Sequence, residues 1–381
     1  MADNNENKVL NVPHLRFPEF SGEWNKYTIN DLATVVGGGT PDTTVKSYWG
    51  GDIQWFTPSE IGKNKYVDFS KRTITRDGLD NSSAKLLPLH TILLSSRATV
   101  GECSIASNEC TTNQGFQSLI AKQCNIDFLY YLIQTKKKDL IRNACGSTFL
   151  EISANEIRKI KVAVPVQNEQ EQIAKLLSLI DERIATQNKI IEDLKKLKSA
   201  IRKKIFSLLK DEYTKSFEIN QLLDYEQPTA YIVANDEYST DTRLTPVLTA
   251  NKGFILGYTD EKNGIYQKGA CIIFDDFTMD AKYVSFPFKV KSSAIKILTA
   301  KPNVNLRFMF EYLSHWELKS EEHKRHYISE ISPLVIELPS KEKQNIIALL
   351  MTSLNNKLTI EEKAKIRYEV QKGYLLSQMF I

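Results

Sequence analysis

The chain has 381 residues, of which 42% are hydrophobic and 25% charged, and its formal net charge is +4 at pH 7. This length suits two or three domains, and the composition is that of an ordinary soluble globular protein. No apolar run reaches bilayer-spanning length and the N-terminus does not resemble a signal peptide, so we expect a cytoplasmic protein with no membrane partner. The mild charge permits nucleic-acid binding but does not argue for it. Five scattered cysteines are typical of buried free thiols in a reducing compartment: Cys103, Cys110, Cys124, Cys145 and Cys271.

The sequence of the first part of the chain predicts a polar N-terminal segment at 1–22, followed by a mixed α/β domain at 23–150. The run at 91–94 predicts a buried strand and 127–142 an amphipathic helix. The sequence GGGTPDT at 37–43 predicts a turn whose glycines need positive φ. It is not followed by a GK[ST] sequence, so a nucleotide-binding loop is the weaker interpretation.

A long helix is predicted within the next segment, 151–210. Residues 165–209 contain no proline or glycine after Pro165, and their apolar residues follow the 4-3 spacing of a heptad seam. Such a helix would be about 60 Å long and needs a partner helix to cover its apolar stripe. The seam residues are Ile173, Leu177, Ile180, Ile184, Ile191, Leu194, Ile201, Ile205 and Leu208.

A second mixed domain is predicted at 211–328, where the alternating residues 283–290 predict a half-buried strand. A second long helix follows in 329–381. Shifted by 174 positions, Pro339, Gln344 and Ile347 fall on Pro165, Gln170 and Ile173, which indicates a duplicated unit. The matching seam residues are Ile347, Met351, Leu354 and Leu358.

The second copy of the seam is weaker than the first. Glu361, Lys365 and Lys372 occupy seam positions and Gly373 interrupts the pattern. Gln187 and Glu361 either set the register of the helix pair or belong to a solvated surface.

No catalytic constellation emerges from the sequence. Asp275 and Asp276 could hold a metal, but polar residues at a strand end are the simpler interpretation, because no third ligand stands at a recognisable spacing. His315, His323 and His326 are expected to be solvent-exposed. We therefore predict no metal site, and the absence of an NPPY-like or DPPY-like motif disfavours an intact methyltransferase.

Basic and aromatic residues in loops are the remaining candidates for function. Lysine and arginine contact phosphates, whereas Arg, Asn, Gln and Ser also read base edges. For any single residue an ordinary solvated surface remains an open alternative. The candidates are Tyr48, Trp55, Lys63, Arg97 and Gln114 in the first domain, with Lys65, Arg72 and Arg76 nearby, and Arg243, Lys252, Tyr258, Lys268 and Lys282 in the second.

The layout resembles the specificity subunit of Type I restriction–modification enzymes. The resemblance covers essentially the whole chain and rests on LRFPEFSGEW at 15–24, the two P-x(4)-Q-x(2)-I openings and the helices behind them. Segments of 222–299, including IIFDDF and KSSAIKIL, are similar to one version of that family's target-recognition domain. The implied fold class is α+β: two mixed α/β target-recognition domains separated by two long antiparallel coiled-coil helices, as a pseudo-two-fold internal repeat.

The resemblance also implies a function. Each recognition domain would read half of a split site in double-stranded DNA, with the helices as a ruler between the halves. Two methyltransferase subunits would dock on the helices, and restriction/translocase subunits would join them. The chain itself would be non-catalytic and bind no cofactor, with S-adenosylmethionine on the methyltransferase subunit. Two alternatives stay open: a coiled-coil assembly scaffold without DNA readout, and a nuclease that uses Asp275 and Asp276.

Overall fold

A computed structural model of the chain describes residues 10–146, 150–210, 215–250, 253–316, 318 and 324–381. It divides into two compact units, Met1–Asn188 with Lys363–Ile381 and Lys189–Glu362. The sequence-based boundaries set the helices apart as segments of their own. In the structure each unit instead combines one mixed α/β region with a part of both long helices.

In its described part, the first unit contains ten strands, and most of its helices are short. The strands are β1 Asn25–Thr28, β2 Ala33–Gly37, β3 Trp49–Phe56, β4 Tyr66–Val67, β5 Arg72–Ile74, β6 Ile92–Leu94, β7 Cys103–Ala106, β8 Cys110–Thr112, β9 Gln117–Ala121 and β10 Lys161–Val164 within the described residues. The helices are α1 Ile29–Leu32, α2 Arg76–Asp80, α3 Ile126–Thr135, α4 Lys137–Arg142, α5 Ala154–Lys159 and the start of α6, Gln167–Lys210.

The strands of the first unit form a five-stranded sheet in the order β2-β9-β6-β7-β4 and a three-stranded sheet in the order β5-β3-β8. The predicted strand at 91–94 is confirmed, and its residues are fully buried. The predicted helix at 127–142 is broken at Lys136 into α3 and α4.

The second unit repeats this kind of organisation with different strands. Its strands and α-helices in the described residues are the end of α6, β11 Lys215–Glu218, α7 Ile219–Leu222, β12 Leu223–Glu226, β13 Thr245–Leu248, β14 Ile255–Thr259, β15 Cys271–Asp275, β16 Ala281–Val284, β17 Lys289–Val290, β18 Ile295–Ala300, α8 Leu306–His315, β19 Val335–Leu338 and the start of α9, which spans Lys341–Met379 and ends in the first unit. They form sheets in the orders β12-β18-β15-β16 and β14-β13-β17. The prediction of a single strand at 283–290 is wrong, because residues 285–288 separate β16 from β17.

The duplication is visible in the frame around each mixed region. In the first unit β1 pairs antiparallel with β10, and in the second β11 pairs antiparallel with β19. A one-turn helix follows β1 and β11 in each case. Lys122 Nζ donates to the carbonyl of Asn30 at 2.6 Å, and Lys301 Nζ donates to that of Asn220 at 2.7 Å. The frame is therefore duplicated in its side-chain contacts as well as in its backbone.

The long helices run antiparallel within each unit. In the first unit the Asp181 carboxylate on α6 pairs with Lys372 on α9 at 2.7 Å, and in the second Lys195 pairs with Glu362 at 3.1 Å. The predicted seam is largely confirmed, because its residues are buried or half-buried, but Leu208 is exposed and Leu209 is buried in its place. The buried or half-buried seam residues are Ile173, Leu177, Ile180, Ile184, Ile191, Leu194, Ile201, Ile205, Ile347, Met351, Leu354 and Leu358.

The end of α9 packs despite its polar seam. The helix continues through Gly373, and Leu375, Met379 and Phe380 are buried in the core of the first unit. The ammonium of Lys372 lies 5.4 Å from the centre of the Tyr131 ring while it pairs with Asp181. A charged seam residue is thus accommodated by a matching carboxylate and an aromatic face.

The cysteines are free, as predicted, but not all of them are buried. Cys103, Cys110 and Cys271 are buried, Cys124 is half-buried and Cys145 is exposed. Burial raises the pKa of each of the three buried thiols to about 12. Of the helices in the described residues, none combines the length and apolar character that crossing a membrane requires.

Candidate nucleic-acid interface

The first unit presents an arginine on a tryptophan platform at the edge of its three-stranded sheet. Trp55 on β3 lies opposite Arg72 on the edge strand β5 and opposite Thr111 on β8. Directly opposed residues project from the same face of a sheet. A bulge places both Trp49 and Ile53 opposite Ile74, with Gly50 at a φ of 83° inside it. This extra length brings the Trp49 ring back toward Arg72.

The platform is fixed by two hydrogen bonds. The Trp49 and Trp55 rings meet edge to face at 5.0 Å between centroids. Trp55 Nε1 donates to the carbonyl of Gly39 at 2.9 Å, and Trp49 Nε1 donates to that of Asp42 at 3.1 Å. The Arg72 guanidinium lies 3.6 Å from the centre of the Trp49 ring, which is stacking distance. Both indoles are therefore held by backbone, and Arg72 lies on the outer one.

The glycine-rich turn supports this platform. Gly39 is buried, and a Cβ there would lie 2.3 Å from Ser83 Oγ, so a larger residue does not fit. The prediction that these glycines need positive φ is wrong, because close approach of neighbouring atoms is the constraint at 38 and 39. The next residue, Thr40, donates through Oγ1 to Gln114 Oε1 at 2.5 Å and holds that exposed side chain beside the turn.

The structure separates the other first-domain candidates. Trp55 is only 4% exposed and supports the platform from inside. Its side chain is therefore not available as a DNA contact on the surface. Tyr48 is half-buried and Lys63 exposed. Arg97 pairs with Glu151 at 2.7 Å. The Lys65 side chain is only 8% exposed, and its ammonium pairs with Asp127 at 2.7 Å and donates to Ser178 at 2.6 Å.

Among the described residues of the second unit, the candidates do not contact one another as a single cluster. Arg243 is exposed but pairs with Asp241 at 2.7 Å, and Lys268 pairs with Glu226 at 2.8 Å. The hydrogen bonds from these cations lower the pKa of both carboxyl groups. Tyr258 on β14 and Lys282 on β16 are half-buried. Lys252 lies outside the described residues.

Asp275 and Asp276 have structural partners. Asp275 Oδ1 accepts from the backbone N–H groups of Phe277 and Thr278, both at 2.9 Å. Asp276 Oδ1 accepts from the N–H of Tyr327 at 2.8 Å, and its Oδ2 lies 3.4 Å from Lys296 Nζ. These contacts turn the chain after β15 and tie it to the turn before β19, as the strand-end interpretation predicts.

The prediction of exposed histidines is wrong for both histidines of this group that the structure describes. His315 is half-buried, with its ring 5.1 Å from that of Phe206. His326 is 2% exposed, and its Nδ1 lies 2.8 Å from Glu330. His323 lies outside the described residues. Within the described ranges, no group of three histidine, cysteine or acidic side chains has the arrangement of a metal site.

Sequence reasoning missed the stack of Arg72 on Trp49. The two residues are 23 positions apart, and only the register of β3 against β5, with its bulge, brings them together. Aromatic residues interleaved with polar ones at 48–56 were the available signal, but strand register cannot be read from it.

Comparison with known proteins reproduces the duplication. The model of the Type I restriction modification DNA specificity domain matches residues 21–196 and again residues 211–370. The chain is 36% identical over 219 residues to the MjaIX specificity subunit of Methanocaldococcus jannaschii, covering 55% of this chain and 50% of that protein. It is 39% identical over 178 residues to the EcoR124I/EcoR124II specificity subunit of Escherichia coli, covering 42% and 43% respectively. The aligned part thus spans about half of these curated relatives, or less.

A solved structure shows the same fold. The S subunit of a Type I restriction–modification system from M. genitalium superposes with a TM-score of 0.64 over 97% of this chain and 99% of that one, at 17% sequence identity. At this identity the likeness concerns the fold alone. The family model, in contrast, accounts for most of the sequence in two successive copies. The chain therefore belongs to the family of Type I restriction modification DNA specificity domains.

Proposed function

We propose that this chain is the sequence-specific DNA-binding subunit of a Type I restriction–modification enzyme and reads a bipartite site in double-stranded DNA. The observation that carries the proposal is the duplicated frame around two unlike mixed domains. The frame repeats down to Lys122 and Lys301, whereas the sheets inside it differ in strand order. The repeated frame suits the docking of the same kind of partner on both units. The different sheets inside the two frames suit the reading of two different half-sites.

The second part of the proposal is that the long helices scaffold two methyltransferase subunits and, through them, restriction/translocase subunits. Its support is apolar surface on α9. Ile346 and Leu349, in the second unit, are 67% and 73% exposed, and Val370, in the first, is 67% exposed. Apolar residues at helical spacing on a surface suit helix–helix docking. An assembly scaffold without DNA readout would use the same surface but would leave the arginine platform without a role.

The third part of the proposal is that the chain is non-catalytic and acts in the cytoplasm. The non-catalytic role is supported by the contacts of Asp275 and Asp276, which are engaged by backbone N–H groups and by Lys296. The cytoplasm is supported by the five free cysteines, which suit a reducing compartment. The methyl donor, S-adenosylmethionine, belongs in this proposal to the methyltransferase subunit. A nuclease made of this chain alone would need both carboxylates for metal, and they already hold the chain after β15.

Methylome sequencing tests the proposal. DNA from cells that express this chain with its methyltransferase subunit should carry methylation at one split motif, and cells lacking this chain should not. With the purified complex, retention of duplex DNA should fall steeply as salt rises, because phosphate contacts release counterions. Methylation without any shared motif, or no DNA retention by the complex at low salt, would favour the assembly scaffold.

A further inference from the structure

We propose that Arg72 is a specificity-determining residue of the first recognition domain and reads one guanine in the major groove. This inference rests on the proposed function and names a residue that carries part of it. Arg72 has a fixed position, a place on an edge strand and hydrogen-bond donors that no described residue of the chain occupies.

The position of Arg72 is fixed by the platform beneath it. The guanidinium lies 3.6 Å from the centre of the Trp49 ring and 5.5 Å from that of Trp55. Both rings are tied to backbone carbonyls, at Asp42 and Gly39. An arginine on an exposed strand is ordinarily flexible, and ordering it on binding costs side-chain entropy. Here the platform already orders the side chain when the domain folds, so less side-chain entropy is lost on binding. A side chain that reads a base needs such a fixed orientation.

Among the residues that the structure describes, none accepts a hydrogen bond from the Arg72 guanidinium. Within the described residues its guanidinium contacts aromatic faces, and no carboxylate pairs with it. Three other surface arginines differ in this respect: Arg97 pairs with Glu151, Arg243 with Asp241 and Arg142 with Asp139. Ring stacking uses the flat face of the guanidinium and leaves its in-plane N–H groups free to bind.

The chemistry of a free, flat fork selects its partner. Two parallel N–H groups match the O6 and N7 acceptors of guanine, a pattern that the major groove shows only for that base. The major groove also admits a two-stranded β-ribbon, and β5 is an edge strand of the β5-β3-β8 sheet. A phosphate would also accept from this fork, but it needs no such fixed orientation and would give no sequence preference.

The test is methylome sequencing with Arg72→Ala, made in the complete chain with its methyltransferase subunit. We expect the unchanged chain to give a split motif. Arg72→Ala should lose discrimination for guanine at one position of one half-site by about 10- to 100-fold. The other half-site should stay unchanged, which shows that the variant folds and assembles. Arg72→Lys, which keeps the charge but not the fork, should restore the guanine only in part.

Arg142→Ala is the matched control, because Arg142 is an exposed arginine of the same unit that is paired with Asp139 on α4. It should leave both half-sites unchanged. A uniform drop in methylation at an unaltered motif in Arg72→Ala would assign Arg72 to a phosphate and overturn the inference, as would a fully unchanged pattern. If the unchanged chain gives no split motif, the proposed function itself fails, so the two failures are distinguishable.

Discussion

Gln344 makes with Asn305 and Pro339 the same two hydrogen bonds that Gln170 makes with Asn125 and Pro165. Gln170 Oε1 accepts from the N–H of Asn125 and its Nε2 donates to the carbonyl of Pro165, both at 2.9 Å. The corresponding distances at Gln344 are 2.8 and 2.9 Å. Each asparagine also caps its helix, since Asn125 Oδ1 accepts from Phe128 N and Asn305 Oδ1 from Phe308 N. One buried glutamine thus joins a long helix to the cap of the domain helix in each unit.

Replacing either glutamine should destabilise its own unit. Gln170 and Gln344 are 4% and 1% exposed, so alanine leaves an N–H and a carbonyl without their partner in the interior. The cost is about 1–3 kcal/mol per unsatisfied group. We expect Gln170→Ala to reduce hydrogen-exchange protection in α3 but not in α8, and Gln344→Ala to do the converse. Gln167→Ala, at an exposed position of the same helix, should change neither.

How far the sequence could predict the structure depends on the kind of contact. The P-x(4)-Q spacing is local, and the 174-residue repeat made the two glutamines recognisable as equivalent. The heptad seam is also local and fixes which face of each helix is buried. The contact of Arg72 with Trp49 depends on strand register and a bulge, which single-residue patterns do not encode. The burial of Lys65 was missed for a related reason, because its partners Asp127 and Ser178 come from separate elements.

The ion pair between Arg202 and Glu311 should behave as a buried pair. Glu311 is fully buried on α8 and accepts two hydrogen bonds from Arg202 on α6, at 2.7 and 3.1 Å. Arg202→Leu leaves the carboxylate without its main partner and should destabilise the second unit by about 3–5 kcal/mol. The double variant with Glu311→Leu should recover most of that loss.

The measurement for this pair is a double-mutant cycle on hydrogen-exchange protection in β15 and β18. Lys196→Ala is a suitable control, because Lys196 and Glu192 form an exposed i,i+4 pair on the same helix. Such pairs contribute about 0.3–0.5 kcal/mol. Equal effects of Arg202→Leu and Lys196→Ala would contradict a buried role for the Arg202–Glu311 pair.

Gly373→Ala should stabilise the first unit. Gly373 lies inside α9, and a Cβ added there would have no atom within 4 Å. Alanine in a helix interior is favoured over glycine by about 0.5–1 kcal/mol, mainly through the entropy of the unfolded chain. A higher thermal midpoint is expected for this variant, and a lower one for Ala364→Gly on the same helix. A drop in the midpoint for Gly373→Ala would show that the helix does not continue through this position.

Thiol labelling should distinguish one cysteine from the rest. Cys103, Cys110 and Cys271 are buried thiols whose pKa burial raises to about 12, so they stay protonated and enclosed at pH 8. Cys145 is exposed, and iodoacetamide should modify it first in the native protein, whereas all five should react in urea. Rapid native labelling of Cys103 would contradict the packing described for β7.

The same thiols should make the folded protein less stable as pH rises into the alkaline range. In the unfolded chain a cysteine ionises near its ordinary pKa of about 8.5. Because the folded pKa is raised, the unfolded state releases protons first, so their contribution to stability is complete below about pH 8.5 and is lost as pH rises toward 12. Urea midpoints should therefore fall between pH 8.5 and 11. Cys103→Ala should reduce that slope, whereas Cys145→Ala should not.

Lengthening both long helices should change the spacing between half-sites without changing the half-sites. Seven residues inserted after Asn188 in α6 and seven after Glu362 in α9 preserve the heptad phase and add about 10 Å. At about 3.4 Å per base pair, this equals about three base pairs of additional spacer. Methylome sequencing of the variant should return the same two half-sites, set about three base pairs farther apart. Insertion into α6 alone is the control, because it moves the seam of one helix relative to the other and should abolish methylation. An unaltered spacer in the double insertion would show that the helices do not set the distance between the two readers.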